Sequence, residues 1–323
     1  MLSDKIIKKQ LSNTLEKTNF NFGKKYQGKV RDNYSIGGKR IIITTDRISA
    51  FDRVLCTIPF KGQVLNQTSA FWFSKTKDII KNHIISVPDP NVMVTEECRP
   101  LSVEMVVRGY LTGVTTTSSW YNYERGIRNF CGNKLSDGMK KNQKFKELII
   151  TPSTKAEKGL HDESVSGEEI IKRKLVDKKI YNEMAEAALS LFKKGTELCA
   201  KNGLILVDTK YEFGLDKQEN LTLIDEIHTP DSSRFWIRNT YEKLFSEGKE
   251  PEKLDKEYVR QWLADKGFIG EGEIPKIPNE VKVEAAKRYI KAYELITGQE
   301  FKVTEEDINK RIKRNLKKAG YNF

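Results

Sequence analysis

LILVDTKYEFGL (204–215), the turn former DKQEN (216–220) and LTLIDEI (221–227) together decide the fold. The first and third are strand-like runs joined by a polar connection, which predicts an antiparallel pair. The run opens fully apolar and then alternates, so Asp208, Lys210 and Glu212 share one face while Thr209, Tyr211 and Phe213 share the other. The returning strand brings Asp225 and Glu226, whose side chains are expected to point oppositely. Only one of them can then join the charged patch, and a simple hairpin register favours Asp225. Two or three carboxylates beside a lysine suit a divalent cation and a phosphate. Charge alternation alone also fits a solvent-facing sheet with a salt bridge. The apolar LILV start argues instead for a buried sheet, at whose end stranded charges are costly unless a ligand compensates them.

Immediately downstream lies HTPDSSRFW (228–236). Its Pro230–Ser233 turn could present backbone amides, hydroxyls and Arg234 to a phosphate monoester, or could form an ordinary helix N-cap with Asp231 or Ser232. Upstream, Asp177 to Asn202 places Ile180, Met184, Ala188, Leu191, Phe192 and Leu198 on one face of a helix that Gly203 ends. VEMVVRGYLTG, from Val103, is short and β-branched and predicts a buried strand ending at Arg108. Between Ser118 and Glu168 the chain is polar and rich in turn formers, so ordered loops and a few short strands are expected.

Residues 1–22 read as a short amphipathic helix, with Ile6, Ile7, Leu11 and Leu15 at helical spacing, leading into a connection. KKYQGKVRDNYSI, Gly37-Gly38 and KRIIITTDR predict a basic hairpin, because paired glycines tolerate the positive φ of a tight turn. On its first strand Lys29 and Arg31 would share a face, with Gly28 permitting close approach of a nucleotide. The glycine–lysine pair is no Walker A loop, which needs GxxxxGK[ST] between strand and helix. Past Phe235 the chain is mostly helical, and Ala285, Tyr289, Ala292, Tyr293 and Ile296 form one stripe.

The 323 residues suffice for two modest domains or one elaborated unit, and the net charge of +12 points to an anionic partner. Cys56, Cys98, Cys131 and Cys199 lie more than thirty residues apart with no CxxC pair, which suggests reduced thiols and a cytoplasmic protein. No run of about 18 apolar residues could span a bilayer.

GKVRDNY, TDRISAFD, VEMVVRGYLTG, TKAEKGLHD, ILVDTKYEFG and LIDEIHTPDSSRFW occur in the order in which SAICAR synthetases carry their signature blocks. The chain resembles that family over nearly its whole length, in its longer, yeast- and plant-like form. The resemblance implies an α+β, two-lobed, ATP-grasp-like architecture with mainly antiparallel sheets. A lobe of residues 1–102 would cover the nucleotide, and residues 103–323 would carry the substrate and metal site. It further implies ligation of L-aspartate to the carboxylate of carboxyaminoimidazole ribotide (CAIR), with ATP and Mg2+, through an acyl phosphate. Lys29 and Arg31 would contact the ATP phosphates, with Glu104 near adenine and sugar and Lys155 also reaching the nucleotide. Glu212 and Asp225 would hold magnesium, with Asp208 a further metal candidate and Lys210 facing a carboxylate or phosphate. Arg108, Ser233 and Arg234 would grip the ribotide phosphate, and His161 and Asp162 would position substrate. Where many members read LTGS, this chain has Val114, so Thr115 or Thr116 would have to supply the missing hydroxyl. The implied partners are these small molecules, without nucleic acid or membrane, and the implied state is a monomer, with a dimer as the alternative.

Two other readings fit parts of the sequence. GMKKNQKFKE and KRIKRNLKK would suit a basic RNA-binding protein, but no RNP-like aromatic motif or zinc knuckle accompanies them. Another ATP-dependent ligase or a small-molecule kinase would share the chemistry, though the kinase HRD and DFG elements are absent.

Overall fold

The structure, a computed structural model, describes residues 2–51, 53–155, 163–254 and 257–321. Two antiparallel sheets dominate it. The first has the order β1 (Lys24–Gln27), β2 (Arg31–Ile36), β3 (Lys39–Thr44), β7 (Val92–Glu96), β6 (Ile84–Asp89). The second is built on β8 (Arg99–Tyr110) and β13 (Leu204–Leu215), flanked by β11 (Lys144–Ile150) and β14 (Leu221–Ile224). The short β12 (Ser153–Thr154) also pairs with β8, and β15 (Ser233–Ile237) pairs with β13. Two small ribbons complete the strands, β4 (Arg47–Ala50) with β5 (Arg53–Thr57) and β9 (Asn129–Phe130) with β10 (Asn133–Lys134).

The 204–227 segment folds as an antiparallel pair, with Glu212 opposite Ile224 and Leu215 opposite Leu221. Its charged face depends on a feature that alternation does not reveal. Against β15 the register slips between Leu206 and Asp208, so Val207 is an extra residue in the ladder. One inserted residue reverses which face each later side chain takes. Leu204 and Leu206 therefore pack in the same core as Tyr211 and Phe213, while Asp208, Lys210 and Glu212 emerge on the opposite face.

That core is closed by α5 (Lys178–Lys201), whose Met184, Ala188, Leu191 and Phe192 meet Val103, Met105 and Val107 of β8. Asp177 caps it by accepting from the Ile180 amide, and Gly203 follows at φ +73°, as the sequence predicts. The short α4 (Gly167–Lys172) precedes it, and α3 (Ser119–Glu124) lies in the polar stretch beside β9 to β12. A second core joins α1 (Asp4–Gln10), α2 (Lys61–Lys75), α7 (Glu257–Asp265) and α8 (Asn279–Thr297). The α8 stripe of Ala285, Tyr289, Ala292, Tyr293 and Ile296 is buried throughout. α6 (Arg238–Ser246) follows β15, and α9 (Ile308–Lys318) packs Ile308, Ile312 and Leu316 onto the first sheet. Arg311 of α9 is fixed there by both oxygens of buried Asp89, at 3.0 and 3.1 Å.

Three expectations change. Residues 1–22 form a helix only over Asp4–Gln10. Beyond it the backbone finds other partners: the Leu15 amide donates to Asp46 and the Thr18 amide to Asp32, both at 2.7 Å, so no helical ladder is required. The stretch KKYQGKVRDNYSI is two strands instead of one. It reverses at Gly28–Val30, where the Gly28 amide donates to the Arg31 carbonyl at 2.8 Å. Lys29 thus sits at a hairpin tip and does not share a strand face with Arg31. The strand from Val103 begins earlier and ends two residues beyond Arg108, because Tyr110 still pairs with Lys144. Gly37 and Gly38, at φ +57° and +74°, make the expected tight turn.

Candidate active site

A cavity of about 730 Å³ opens between the β1–β2 tip and the charged face of the second sheet. Gly28, Lys29 and Arg31 line it from one side, and Glu104, Lys155, Lys210, Glu212 and Asp225 from the other. A smaller recess of about 290 Å³ adjoins it, lined by Arg108, Thr117, Asp208, Ser233 and Arg234. Glu104, Lys210 and Asp231 line both, so the two spaces meet there.

Lys210 donates to Glu104 and to Glu212, each at 2.8 Å, and Lys155 closes on the other oxygen of Glu212. Burial alone would raise the Glu212 pKa. The Lys210 and Lys155 ammonium groups outweigh it and hold the carboxyl far below its usual range. Lys210 is correspondingly raised, since Glu212 and Glu104 outweigh its own desolvation. Glu104 is pushed up by burial, which Lys210 only partly offsets.

Asp225 departs from the expected geometry. It sits just beyond β14 with φ +65°, a left-handed residue that turns the chain. Both acids consequently face Arg31, which holds Asp225 at 3.2 Å and Glu226 at 2.8 Å. The expectation that only one of the pair could join the charged group is corrected by this backbone turn. Burial raises the Asp225 pKa to about 7, and Glu212 and Glu226 add to that rise against the opposing pull of Arg31. An acid crowded by two others marks a place where further positive charge is favourable. Among the described residues no three His, Cys, Asp or Glu side chains form a ready-made metal cage. Two carboxylates with ligand oxygens to complete the shell are nevertheless what magnesium ordinarily takes at a nucleotide. The donor set fits that ion.

In the smaller recess Asp208 accepts from Arg108 at 3.1 Å and from Arg234 at 2.5 Å. It lies on the same sheet face as Lys210 and Glu212, yet its carboxylate is committed to two guanidinium groups, away from Asp225. Burial lowers the Arg108 pKa, with Arg234 adding to the effect and Asp208 opposing it. Two guanidinium groups on one carboxylate leave an excess positive charge, which suits a phosphate. Ser233 donates to Thr209 at 2.7 Å at the start of β15, so HTPDSSRFW is a turn into a strand and no helix cap. Val114 is exposed, whereas Thr115 and Thr117 line the recess and the Thr117 carbonyl accepts from Arg108 at 2.8 Å. Thr116 lines only the larger cavity. His161 and Asp162 lie outside the described residues.

Sequence reasoning set Glu226 aside in favour of Asp225, because nothing in the letters marks Asp225 as left-handed. It missed Lys61 and Arg260. Lys61 is fully buried and reaches Asp231 at 2.7 Å, and Arg260 of α7 lines both spaces. Neither lies in a patterned stretch of charge that could have singled it out.

A family model described as SAICAR synthetase matches residues 24–275. A phosphoribosylaminoimidazole-succinocarboxamide synthase of Legionella pneumophila (strain Paris) is 48% identical over 307 residues, covering 94% of this chain and 98% of that protein. The chloroplastic synthase of Arabidopsis thaliana is 48% identical over 321 residues, covering 97% of this chain and 78% of that protein. Among solved structures, the Saccharomyces cerevisiae SAICAR synthase complexed with SAICAR superposes with a TM-score of 0.78 at 30% identity, over 90% of this chain and 100% of that one. A SAICAR synthetase in complex with ADP gives 0.66 at 26% identity, over 87% and 100%.

Two joined cavities on antiparallel sheets, in a chain matched over most of its length by these synthases, place it among ATP-consuming ligases that form a carbon–nitrogen bond. Within that class the chain belongs to the SAICAR synthetase family. It joins L-aspartate to the CAIR carboxylate at the expense of ATP, in purine biosynthesis. None of its helices, among the described residues, is long and apolar enough to cross a membrane.

Proposed function

We propose that ligation proceeds through an acyl phosphate formed where the two spaces meet. A carboxylate is a poor acyl donor, since its charge and resonance both repel an amine, so an oxygen of CAIR first attacks the γ-phosphorus and ADP leaves. The aspartate amine then attacks the acyl carbon, phosphate departs, and the nitrogen loses its proton. The observation that carries the proposal is the shared border of Glu104, Lys210 and Asp231 between a basic recess and a larger cavity beneath a glycine-containing hairpin.

In this arrangement Lys29 and Arg31 meet the ATP phosphates, Glu104 lies beside the nucleoside, and Lys155 reaches the nucleotide from the opposite wall. Arg108, Ser233 and Arg234 hold the ribotide phosphate, and Asp208 keeps the two arginines in place through its paired contacts. Lys210, between Glu104 and Glu212, screens the CAIR carboxylate from the phosphate it attacks. Glu212 and Asp225 would hold magnesium, which when bound would supply neutralisation of the charge on the terminal phosphate. His161 and Asp162 help position substrate from the segment outside the described residues. Residues 1–102 act as the nucleotide-covering lobe and residues 103–323 as the lobe with the substrate and metal site, although α8 and α9 pack back on the first. The enzyme works as a cytoplasmic monomer on small molecules. Its four cysteines, none of them in a disulfide, accord with a reducing compartment, and its basic charge with anionic metabolites.

Isotope transfer tests the chemistry. CAIR labelled with oxygen-18 in its carboxylate is expected to deliver one labelled oxygen to inorganic phosphate in each turnover. Unlabelled phosphate alongside normal amide product would overturn the acyl phosphate.

A further inference from the structure

The residues matched by the family model end at 275, yet α8 lies beyond them and reaches the active site. Tyr289, buried on the inner stripe of α8, donates its hydroxyl to Asp231 Oδ1 at 2.7 Å. Lys61, fully buried at the start of α2, donates to Asp231 Oδ2 at 2.7 Å, and its ammonium lies 5.4 Å from the centre of the Tyr289 ring. Each oxygen of one carboxylate is thus gripped by a separate helix, and that carboxylate lies where the two spaces meet.

We propose that Tyr289 is a positioning residue for the ligation: with Lys61 it fixes the orientation of Asp231 toward the ribotide that spans both spaces. This rests on the ligand arrangement given above. A carboxylate held by a single lysine can still rotate about its last bond, because an ammonium is a point charge with rotatable donors. A second donor of fixed direction, from a ring locked in a helix stripe, removes that freedom. Tyr289 itself lines neither space and meets them through Asp231, so its influence should appear in ribotide affinity and depend on Asp231. The helical extension would then be a working part of the site in addition to a packing layer over α1 and α2.

The test is a double-mutant cycle with Tyr289→Phe and Asp231→Ala, measuring KM and equilibrium binding for CAIR, ATP and aspartate separately, together with thermal melting. Tyr289→Phe keeps the ring and its packing, and is expected to weaken CAIR roughly tenfold, the effect of one lost hydrogen bond to a charged acceptor. ATP should change by less than about twofold, and in the Asp231→Ala background, which leaves the phenol no partner at this position, the same substitution should have almost no effect on CAIR. Unchanged CAIR affinity with a lowered melting temperature would make Tyr289 merely structural and overturn the proposal. An equal effect in both backgrounds would overturn it as well. Isotope transfer by the unaltered enzyme reports the acyl phosphate independently of either outcome.

Discussion

Glu212→Gln and Asp225→Asn are each expected to lower kcat by roughly a thousandfold or more, the scale on which a lost charge-stabilising group acts in a transition state. Both replacements keep the shape of the side chain and remove only its charge, so the sheet should survive. Glu212 is pinned by Lys155 and Lys210, and Gln leaves the two ammonium groups without the anion that set their position, although Glu104 still accepts from Lys210. Asp225 differs because burial and neighbouring acids already place its pKa at about 7. An acid raised in this way carries no penalty below the ordinary carboxylate range, and loses stability progressively as pH rises through 7. Asp225→Asn should therefore melt higher than the unaltered enzyme at pH 8 and about equally at pH 4, while being inactive at both. Because a cation must displace the Asp225 proton, the metal requirement of the unaltered enzyme should rise as pH falls below 7. Steady-state rates with varied magnesium, alongside melting curves, measure all of these. Near-normal turnover in both variants would refute the metal-holding role.

Arg234→Ala should raise the CAIR requirement by about ten- to a hundredfold, with ATP changed by no more than about threefold. A charge-assisted contact from a planar fork to phosphate is among the stronger single interactions available to a site. Arg108 continues to neutralise Asp208 at 3.1 Å, so the recess keeps an intact buried pair and the loss falls on the ligand. Separate titrations of the two substrates distinguish the outcomes, since equal effects on CAIR and ATP would indicate a disturbed cavity and not a missing phosphate grip.

Much of this site was legible because it lies on periodic elements. Period-two alternation placed Asp208, Lys210 and Glu212 together, and Asp177 and Gly203 bounded α5. What the letters concealed was local backbone irregularity. An extra residue at Val207 lets a wholly apolar LILV precede an alternating half without putting Leu206 beside Asp208. A left-handed Asp225 brings Glu226 to Arg31, against the simple parity of a strand. The reversal at Gly28–Val30 is hidden in strand-like letters because glycine suits a close approach as well as a turn. Lys61, Asp231 and Tyr289 converge from distant parts of the chain, and one sequence carries no pairing signal for contacts of that kind.

A cation held by acids of β13 and the β14 end, at the point where a terminal phosphate faces the ribotide carboxylate, is what the proposed ligation requires above all. A crystal of the enzyme with manganese, a non-hydrolysable ATP analogue and CAIR, measured for anomalous scattering, tests it most directly. The expected map has a manganese peak in coordination contact with Glu212, Asp225 and a terminal phosphate oxygen. A peak elsewhere, with Glu212 still closed on Lys155 and Asp225 on Arg31, would contradict it.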